Sequence, residues 1–372
     1  MTSIQGSLLT PDGWRFGHLY HAARITHLDA EPCPAPEPPY VLPGFVDLHV
    51  HGGGGADAMQ GTAALRTLLR THAAHGTTSL LATSVTAPLG EIDAFVAAVA
   101  AAMAAPEPGE AALLGAHLEG PFLNPDKLGA QPPFAIQPDF DAVERWLRAD
   151  VVRLVTLAPE IDQGGALQAR LQRAGVRTQV GHSLADAATA TRAIRAGAGL
   201  THLFNAMSGL DHRAPGVVGA ALAHATRAEL IPDLIHVAPE AILAARRAIP
   251  GLYAVTDATA GAGMPDGPYP LGQQVAIKAE GAMRLADGTL AGSTLTMDQA
   301  LRNLVALGLD LDEASAWTST RPARWLSLTD RGELRAGVLA DLVVLDAELN
   351  VVEVRIAGRP VVQPSACTAS AS

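Results

Sequence analysis

The 372-residue chain has little cysteine, little lysine and few aromatic residues, and these shortages exclude several classes of protein. Its two cysteines, Cys33 and Cys367, lie near opposite ends and are too few for a disulfide framework or a thiolate metal site. Only two lysines, Lys127 and Lys278, are present, so arginine supplies nearly all of the positive charge. The net charge of −11 argues against nucleic-acid binding, because phosphate neutralisation requires clustered Lys and Arg.

The chain also lacks a long hydrophobic run and a leader-like start. Its longest apolar stretch, residues 94–105, is shorter than the roughly 20 residues needed to cross a bilayer. The opening MTSIQGSLLTPDG has no basic start followed by an apolar run, so no signal peptide is expected. The scarcity of cysteine fits a reducing compartment, and we therefore expect a cytoplasmic protein without a membrane partner.

Short strand-like and helix-like segments alternate through the middle of the chain. The strand candidates are GFVDLHV, TTSLLAT, ALLGAHLEG, VVRLVTLAPE, VRTQVGHS, AGLTHLFN, ELIPDLIHV and LYAVTDAT. Most are separated by stretches with helical spacing, which is typical of parallel βα units. Eight such strands predict an α/β fold, namely a (β/α)8 TIM-type barrel. An open doubly wound sheet is the alternative, although no GxGxxG follows the first strand.

The two ends of the chain do not follow this rhythm. Residues 1–42 are rich in proline, and residues 333–362 resemble short strands joined by turns. Because short β segments need each other's edges to bury a core, we expect residues 1–42 and 333–372 to form one small β domain. Residues 43–332 would then form the barrel. Frayed tails are the alternative, but the C-terminal segment is dense in apolar residues.

Charged or imidazole side chains end six of the eight predicted strands. They are His49 and His51 in the first strand, Glu119 in the third, His182 in the fifth, His202 in the sixth, His236 in the seventh and Asp257 in the eighth. The C-terminal ends of parallel barrel strands share one rim, so these side chains should converge. Convergent histidines and carboxylates are typical ligands of a divalent cation.

Each of these residues also has an ordinary structural explanation. His49 and His51 could lie in a solvated turn, Glu119 in a salt bridge, and Asp257 at a helix N-cap. A single histidine is more often a hydrogen-bonded core residue than a ligand. The repetition of the pattern at six strand ends nevertheless favours a metal site. His117 shares the face of Glu119 and is a candidate for supporting that site.

Several segments resemble a known family. PGFVDLHVHG resembles the opening of the amidohydrolase superfamily, and the following segments resemble its N-acetylglucosamine-6-phosphate deacetylase branch: HLEGPFLNPDKLGAQPP, VTLAPE, VGHS, THLFNAM, VTDAT and LAGSTLTMDQA. The resemblance runs from about Pro43 to Asp346. It implies a (β/α)8 barrel, a small β-sandwich domain formed by both termini, and a homodimer.

The resemblance also implies an activity, which is removal of the acetyl group from N-acetylglucosamine 6-phosphate to give glucosamine 6-phosphate and acetate. It implies that Glu119, His182 and His202 hold a divalent metal, with Zn²⁺ the first choice. A second metal site at His49 and His51 is left open. Asp257 corresponds to the catalytic acid/base and His236 to a histidine near the substrate carbonyl.

The substrate contacts carry over from the family less cleanly. The matching positions are Ala130, Gln131, Asn205, Ala206, His212, Arg213, His236, Leu290, Ala291 and Gly292. Arg213 is the best match for the phosphate-binding arginine, from its own or the neighbouring subunit, and His212 is next to it. Gln131 replaces an expected histidine and cannot be cationic. The alternatives are therefore N-acetylgalactosamine 6-phosphate, another N-acyl amine, or a non-catalytic protein that binds sugar phosphates.

Overall fold

Strands and helices follow one another throughout residues 2–361, which the computed structural model describes apart from the Gln163 side chain. The strands are β1 (Thr2–Thr10), β2 (Gly13–His21), β3 (Ile25–Pro32), β4 (Tyr40–Pro43), β5 (Phe45–Val50), β6 (Gly52–Gly53), β7 (Ala56–Asp57), β8 (Thr77–Ser84), β9 (Ala112–Glu119), β10 (Val152–Leu157), β11 (Arg177–Val180), β12 (Gly199–Leu200), β13 (Arg227–Leu230), β14 (Gly251–Ala254), β15 (Gly267–Leu271), β16 (Gln274–Ala279), β17 (Ala282–Arg284), β18 (Leu342–Leu345), β19 (Val351–Ile356) and β20 (Arg359–Pro360). Residues 362–372, the end of the expected small domain, lie outside the described residues.

The helices mostly connect the strands of the central part. They are α1 (Thr62–Ala74), α2 (Leu89–Ala104), α3 (Phe140–Arg148), α4 (Ala166–Arg173), α5 (Ala187–Arg195), α6 (Gly216–His224), α7 (Pro239–Ala248), α8 (Met297–Ala306), α9 (Leu311–Ser315) and α10 (Arg321–Trp325), with a π-helical turn at Ala316–Thr320. In α1, Leu65, Leu68 and Leu69 lie on one buried face, as expected for an amphipathic helix. Asp139 caps α3, because its carboxylate accepts a hydrogen bond from the Ala142 backbone N–H. Within residues 2–361 no helix is long and apolar enough to cross a bilayer.

All eight strands predicted for the central part are present, and they are parallel. Six of them form one sheet in the order β12-β11-β10-β9-β8-β5, and β13 pairs with β14. Every residue of β5 and β8 is buried, which is typical of parallel strands covered on both faces. A parallel bridge from Val50 to Ala258 brings the segment after β14 beside the end of β5. The structure therefore contains a curled parallel sheet with its strand ends on one side.

A separate seven-stranded sheet unites the two ends of the chain in the order β20-β19-β18-β4-β1-β2-β3. At its centre β18 runs antiparallel to β4, whereas β4 runs parallel to β1. Its core is formed by Ile4, Leu8, Leu19, Ile25, Val41, Leu334, Val338, Ala340, Leu342 and Val344. Side chains from both ends are thus needed to bury this core.

A three-stranded antiparallel sheet, β15-β16-β17, interrupts the chain between β14 and α8. No pattern in the sequence predicted this insert. Leu271, Ala276 and Met283 from this insert pack against Val85 and Ala291. The insert thereby covers part of the side on which the parallel strands end.

Candidate active site

The predicted metal ligands lie at or just beyond the ends of the parallel strands. Glu119 is the last residue of β9 and His49 lies within β5, but the other ligands occupy the turns that follow. His182, His202 and Asp257 there have positive φ angles of 48°, 28° and 50°. A non-glycine residue in this region is strained by roughly 1–3 kcal/mol, and such strain concentrates at functional sites. The turns therefore position these side chains at an energetic cost.

A first donor set consists of Glu119, His182 and His202. Oε1 of Glu119 lies 3.1 Å from Nε2 of His182 and 2.9 Å from Nε2 of His202. The two imidazole nitrogens are 3.2 Å apart. All three side chains are buried, and their donor atoms lie within 4.8 Å of one another.

A second donor set consists of His49, His51 and Glu119. The other carboxylate oxygen of Glu119, Oε2, lies 3.1 Å from Nε2 of His51 and 3.6 Å from Nε2 of His49. Oδ1 of Asp257 is 3.2 Å and 3.3 Å from the same two nitrogens. Glu119 therefore offers one oxygen to each set and can bridge two cations.

The donor atoms of both sets face one another at short distances, which favours a cation between them. Two imidazole nitrogens that face each other, as in His49 with His51 at 3.1 Å, need a proton or a cation between them. Among the described residues, the buried Oδ1 of Asp257 has no well-formed hydrogen bond. Nitrogen and oxygen donors in this arrangement are typical of Zn²⁺ and similar metals.

The pKa shifts reflect the same concentration of negative charge. Burial lowers the pKa of His51, but Asp257 and Glu119 outweigh it and raise the pKa to about 9. Burial likewise raises the pKa of Asp257, but the charge of His49 and the His51 imidazole beside it outweigh burial and bring the net pKa below its usual range. Asp257 is thus held as a carboxylate that can accept a proton.

The remaining ring nitrogens fix the orientation of the histidines. Nδ1 of His51 lies 3.2 Å from the Thr83 carbonyl oxygen, and Nδ1 of His182 lies 3.1 Å from that of Lys127. A carbonyl oxygen can only accept, so Nδ1 keeps its proton, and Nε2 is the nitrogen that can give up a proton to bind a cation. Nδ1 of His49 instead lies 3.0 Å from Oε2 of Glu229, a residue that was not predicted from the sequence.

His236 reaches the site from a loop and not from a strand end. The seventh strand, β13, ends at Leu230, so the prediction that His236 ends this strand was wrong. Its backbone and Nδ1 lie 2.8 Å and 2.6 Å from the two carboxylate oxygens of Asp233. Asp233 therefore orients the His236 ring, and its position three residues earlier in DLIH was the available signal.

A cavity of about 410 Å³ opens above the two donor sets. Its lining is His51, Val85, Glu119, Asp126, Lys127, Gly129, Ala130, Gln131, His182, His202, Asn205, Ala206, His236, Asp257, Leu271, Thr289, Leu290 and Gly292. Most of the predicted substrate contacts are therefore brought together here. Ala291 is different, since its side chain is fully buried in the cluster beneath the insert. Lys127, the only lysine in this lining, was not among the predicted contacts.

Gln131 is tied to the metal-binding carboxylate. Its Nε2 donates a hydrogen bond to Oε2 of Glu119, and its Oε1 accepts one of 2.6 Å from the Thr86 backbone N–H. Both ends of the amide are thus occupied by the protein. This residue positions Glu119 in addition to lining the cavity.

Comparisons with known proteins agree with this geometry. The profile of the amidohydrolase family matches residues 40–363, which is most of the chain. The chain belongs to the amidohydrolase family. A Lysinibacillus sphaericus N-acetylglucosamine-6-phosphate deacetylase is 38% identical to this amidohydrolase over 336 residues, covering 87% of this chain and 86% of the relative.

Two further comparisons bear on this amidohydrolase. An Escherichia coli O157:H7 N-acetylgalactosamine-6-phosphate deacetylase is 40% identical over 369 residues, covering 95% of this chain and 97% of the relative. A solved structure of an aspartate-to-alanine mutant of Mycobacterium smegmatis N-acetyl-D-glucosamine-6-phosphate deacetylase, in complex with N-acetyl-D-glucosamine 6-phosphate, has 37% identity and a TM-score of 0.87. That comparison covers 96% of this chain and 97% of the other.

Arg213 and His212 of this amidohydrolase lie outside the cavity of their own chain. Both are exposed in the loop that precedes α6. The backbone N–H of Arg213 donates to Oδ1 of Asp211 at 2.9 Å, and Asp211 is itself exposed. The guanidinium group is therefore free to reach a ligand or another molecule from the surface.

Proposed function

We propose that this amidohydrolase removes the acetyl group from N-acetylglucosamine 6-phosphate and releases glucosamine 6-phosphate and acetate. The observation that carries the proposal is the meeting of Glu119, His182, His202 and Asp257 at the floor of one cavity. The 38% identity to a deacetylase of this sugar phosphate supports the same substrate. A catalyst is favoured over a non-catalytic protein that binds sugar phosphates, because both the metal ligands and a proton acceptor are present.

We propose Zn²⁺ as the metal, with the first donor set as the principal site and the second donor set as an additional site. Histidine nitrogen and carboxylate oxygen are common ligands of catalytic zinc, which keeps one position open for water or substrate. A divalent cation bound there supplies the Lewis acidity that makes water nucleophilic near neutral pH. The two oxygens of Glu119 would join the two sites.

Asp257 and His236 would carry out the remaining chemistry. Asp257 accepts the proton of the attacking water and returns it to the departing amine, which is a poor leaving group unless protonated. His236, oriented by Asp233, faces the cavity and in its protonated form donates to the carbonyl oxygen on which negative charge develops.

The sugar would lie against the cavity wall formed by Ala130, Gln131, Asn205, Ala206, Leu290 and Gly292. Ala291 would contribute through its backbone, since its side chain is buried. Polar backbone groups and small side chains suit a hydroxylated ring, because they allow close approach and hydrogen bonding.

We propose a homodimer in which Arg213, with His212 beside it, binds the substrate phosphate of the partner subunit. Guanidinium groups form bidentate contacts with phosphate, and Arg213 is exposed outside its own cavity. Leu184 and Leu210 on the neighbouring loops are 44% and 60% exposed. Apolar side chains clustered on loops beside a charged rim are typical of an interaction surface.

N-Acetylgalactosamine 6-phosphate is the alternative substrate. The E. coli relative that carries this name is 40% identical over 95% of the chain. Acetate release from both epimers, each with and without the 6-phosphate, tests the two proposals with metal-replete protein. We expect the phosphorylated N-acetylglucosamine to be preferred. A preference for the galactose epimer would replace the first proposal by the second, and no acetate from any of the four would refute both.

We propose that β13 and β14 complete the six-stranded sheet to a single (β/α)8 barrel formed by residues 43–332. The bridge between Val50 and Ala258 supports this closure. Residues 1–42 and 333–372 would form the second domain, a β-sandwich about the core shared by both termini. We further propose a cytoplasmic protein whose partners are the sugar phosphate and a second copy of itself, and neither nucleic acid nor a membrane.

A further inference from the structure

A layer of buried polar side chains crosses the space enclosed by the parallel strands, directly beneath the two donor sets. Barrel interiors are usually filled by branched apolar residues, so a polar layer requires an explanation. Its members come from all eight strands or their first turns: His49, Thr83, His117, Thr156, Gln179, Thr201, Glu229 and Tyr253. Each is at most 1% exposed. We refer to these eight residues as the polar layer.

Hydrogen bonds between side chains of different strands connect most of the polar layer. Gln179 donates from Nε2 to the Tyr253 hydroxyl at 2.6 Å, and its Oε1 accepts from Thr201 at 2.9 Å. The Thr201 hydroxyl lies 2.7 Å from that of Thr156, which lies 2.7 Å from Nε2 of His117. Burying so many polar groups is tolerable only because each has a partner.

The polar layer returns to the donor sets at His49. The His117 ring packs edge-on against the His49 ring, with centroids 4.6 Å apart. On the other side, Oε2 of Glu229 lies 3.0 Å from Nδ1 of His49, and Oε1 lies 3.3 Å from the Tyr253 hydroxyl. Burial and the Glu229 charge raise the pKa of Tyr253 well above its usual range, so the phenol keeps its proton and donates.

We propose that Glu229 is a positioning residue that fixes the Nδ1–H tautomer of His49 and thereby holds the second donor set ready for a cation. A carboxylate can only accept, so Nδ1 of His49 keeps its proton, and Nε2, which faces Glu119 and His51, is the nitrogen that can exchange a proton for a cation. This inference rests on the metal sites proposed above. It adds that the second donor set depends on the polar layer, whereas the first donor set does not.

The asymmetry between the two donor sets makes the role of Glu229 measurable. Glu229 contacts an imidazole nitrogen of the second set only, whereas at His202 it contacts just the backbone N–H, at 3.3 Å. In Glu229→Gln the single amide oxygen cannot accept from both His49 and Tyr253. If the amide NH2 group faces His49, it opposes the Nδ1–H donor; if it faces Tyr253, whose hydroxyl can also accept, His49 keeps only an uncharged and weaker acceptor. In both cases the ring of His49 is held less firmly, while Nδ1 of His182 keeps its contact with the Lys127 carbonyl oxygen.

Titration of the metal-free full-length protein with Zn²⁺ alone, by calorimetry and elemental analysis, tests the proposal. We expect two Zn²⁺ per wild-type chain, and in Glu229→Gln an affinity about 10- to 100-fold weaker at the second donor set, with the first set unchanged. Asp162→Asn is the matched control, because Asp162 is a buried carboxylate outside the cavity lining that, among the described residues, accepts only from the backbone N–H groups of Leu167 and Gln168. It should keep both affinities.

Several outcomes would overturn the proposal. Wild-type affinity at the second set in Glu229→Gln, or equal loss at both sets, would show that Glu229 does not position His49. A third Zn²⁺ held by His49, His117 and Glu229 would also do so, since Nδ1 of His49 would then be unprotonated. If Glu229→Gln does not fold, Tyr253→Phe takes its place, and weakening at the second set only is again required. This titration uses no substrate, so its outcome is independent of the acetate-release assay. A wild-type protein that binds two metals but releases no acetate would refute the proposed function and leave the role of Glu229 intact.

Discussion

The two carboxylate oxygens of Glu119 face in different directions, and this divides the site into two donor sets. Oε1 faces His182 and His202, and Oε2 faces His51, so one side chain serves both donor sets. Gln131 donates to Oε2 as well and limits the rotation of the carboxylate. A side chain held from three sides in this way is preorganised for binding cations.

Asp257→Asn replaces one carboxylate oxygen by an NH2 group and thereby tests the proposed proton transfer. The amide can neither accept the proton of water nor return it, so kcat should fall by about 10²- to 10⁴-fold. The protein should stay folded and keep the metal of the first donor set, measured by thermal unfolding and elemental analysis. Turnover within a factor of about three of wild type would remove Asp257 from this role.

Replacing His49 and His51 together by alanine tests the division into two donor sets. Elemental analysis should show a decrease from two metals per chain to one, because Glu119, His182 and His202 remain. Some deacetylation should persist. Complete loss of metal in this double variant would mean that the principal site has been assigned to the wrong residues.

The ligands could be predicted from the sequence, but their supporting residues could not. Glu119 and Asp257 follow apolar strands within recognisable motifs, whereas Glu229 is a single acid in the short segment RAEL. Only the structure shows that its partner is His49, 180 residues away. Gln131 was predicted as a sugar contact, and sequence alone gave no sign that both ends of its amide are used by the protein.

Among the secondary-structure elements, the loops after the strands carry more of the site than the strands do. His182 and His202 each lie two residues beyond a strand, in left-handed conformations that no sequence pattern indicated. The eight strands were predictable because their buried, apolar runs are regular. The insert β15-β16-β17 was missed because its first strand is short and contains Pro268 and Pro270, which argue against a strand.

At the start of α8, Asp298 links helix stability to pH. Burial raises its pKa, but the contact with His75, 3.3 Å away, and the charge of Arg302, 3.0 Å away, bring the net pKa below its usual value. A lowered folded-state pKa stabilises the protein above the unfolded-state value of roughly 3.9, and this contribution is lost as the pH falls.

Asp298→Asn should therefore lower the free energy of unfolding at pH 7 by about 1.5–3 kcal/mol, as measured by urea denaturation. The difference from wild type should shrink progressively below pH 4, where the wild-type carboxylate loses its advantage. Asp312→Asn, at an exposed position in the first turn of α9, serves as the control and should change little at either pH. An equal loss at all pH values would contradict the electrostatic explanation.

For the whole molecule, the exposed Arg213 connects the proposed dimer with substrate choice. Arg213→Ala should lower kcat/KM for the sugar phosphate by about 30- to 150-fold, the equivalent of a charge-assisted bidentate contact of roughly 2–3 kcal/mol. Most of this should be a higher KM, since the phosphate is remote from the amide. The unphosphorylated sugar should be unaffected. Equal losses for both sugars, or none, would transfer the phosphate role to His212, and His212→Ala provides that comparison.

The sheet that joins β4 to β18 has a consequence for synthesis on the ribosome. About 300 residues separate the two strands, and translation at roughly 5–20 residues per second needs about 15–60 s to span them. Throughout that time one edge of β4 is unpaired, and the apolar face of β1 to β4 lacks Leu342 and Val344. Until β18 is made, the nascent N-terminal strands are therefore exposed to pairing with other chains. A circular permutant that joins the two ends and opens elsewhere would translate β18 shortly before β1 and remove most of that delay.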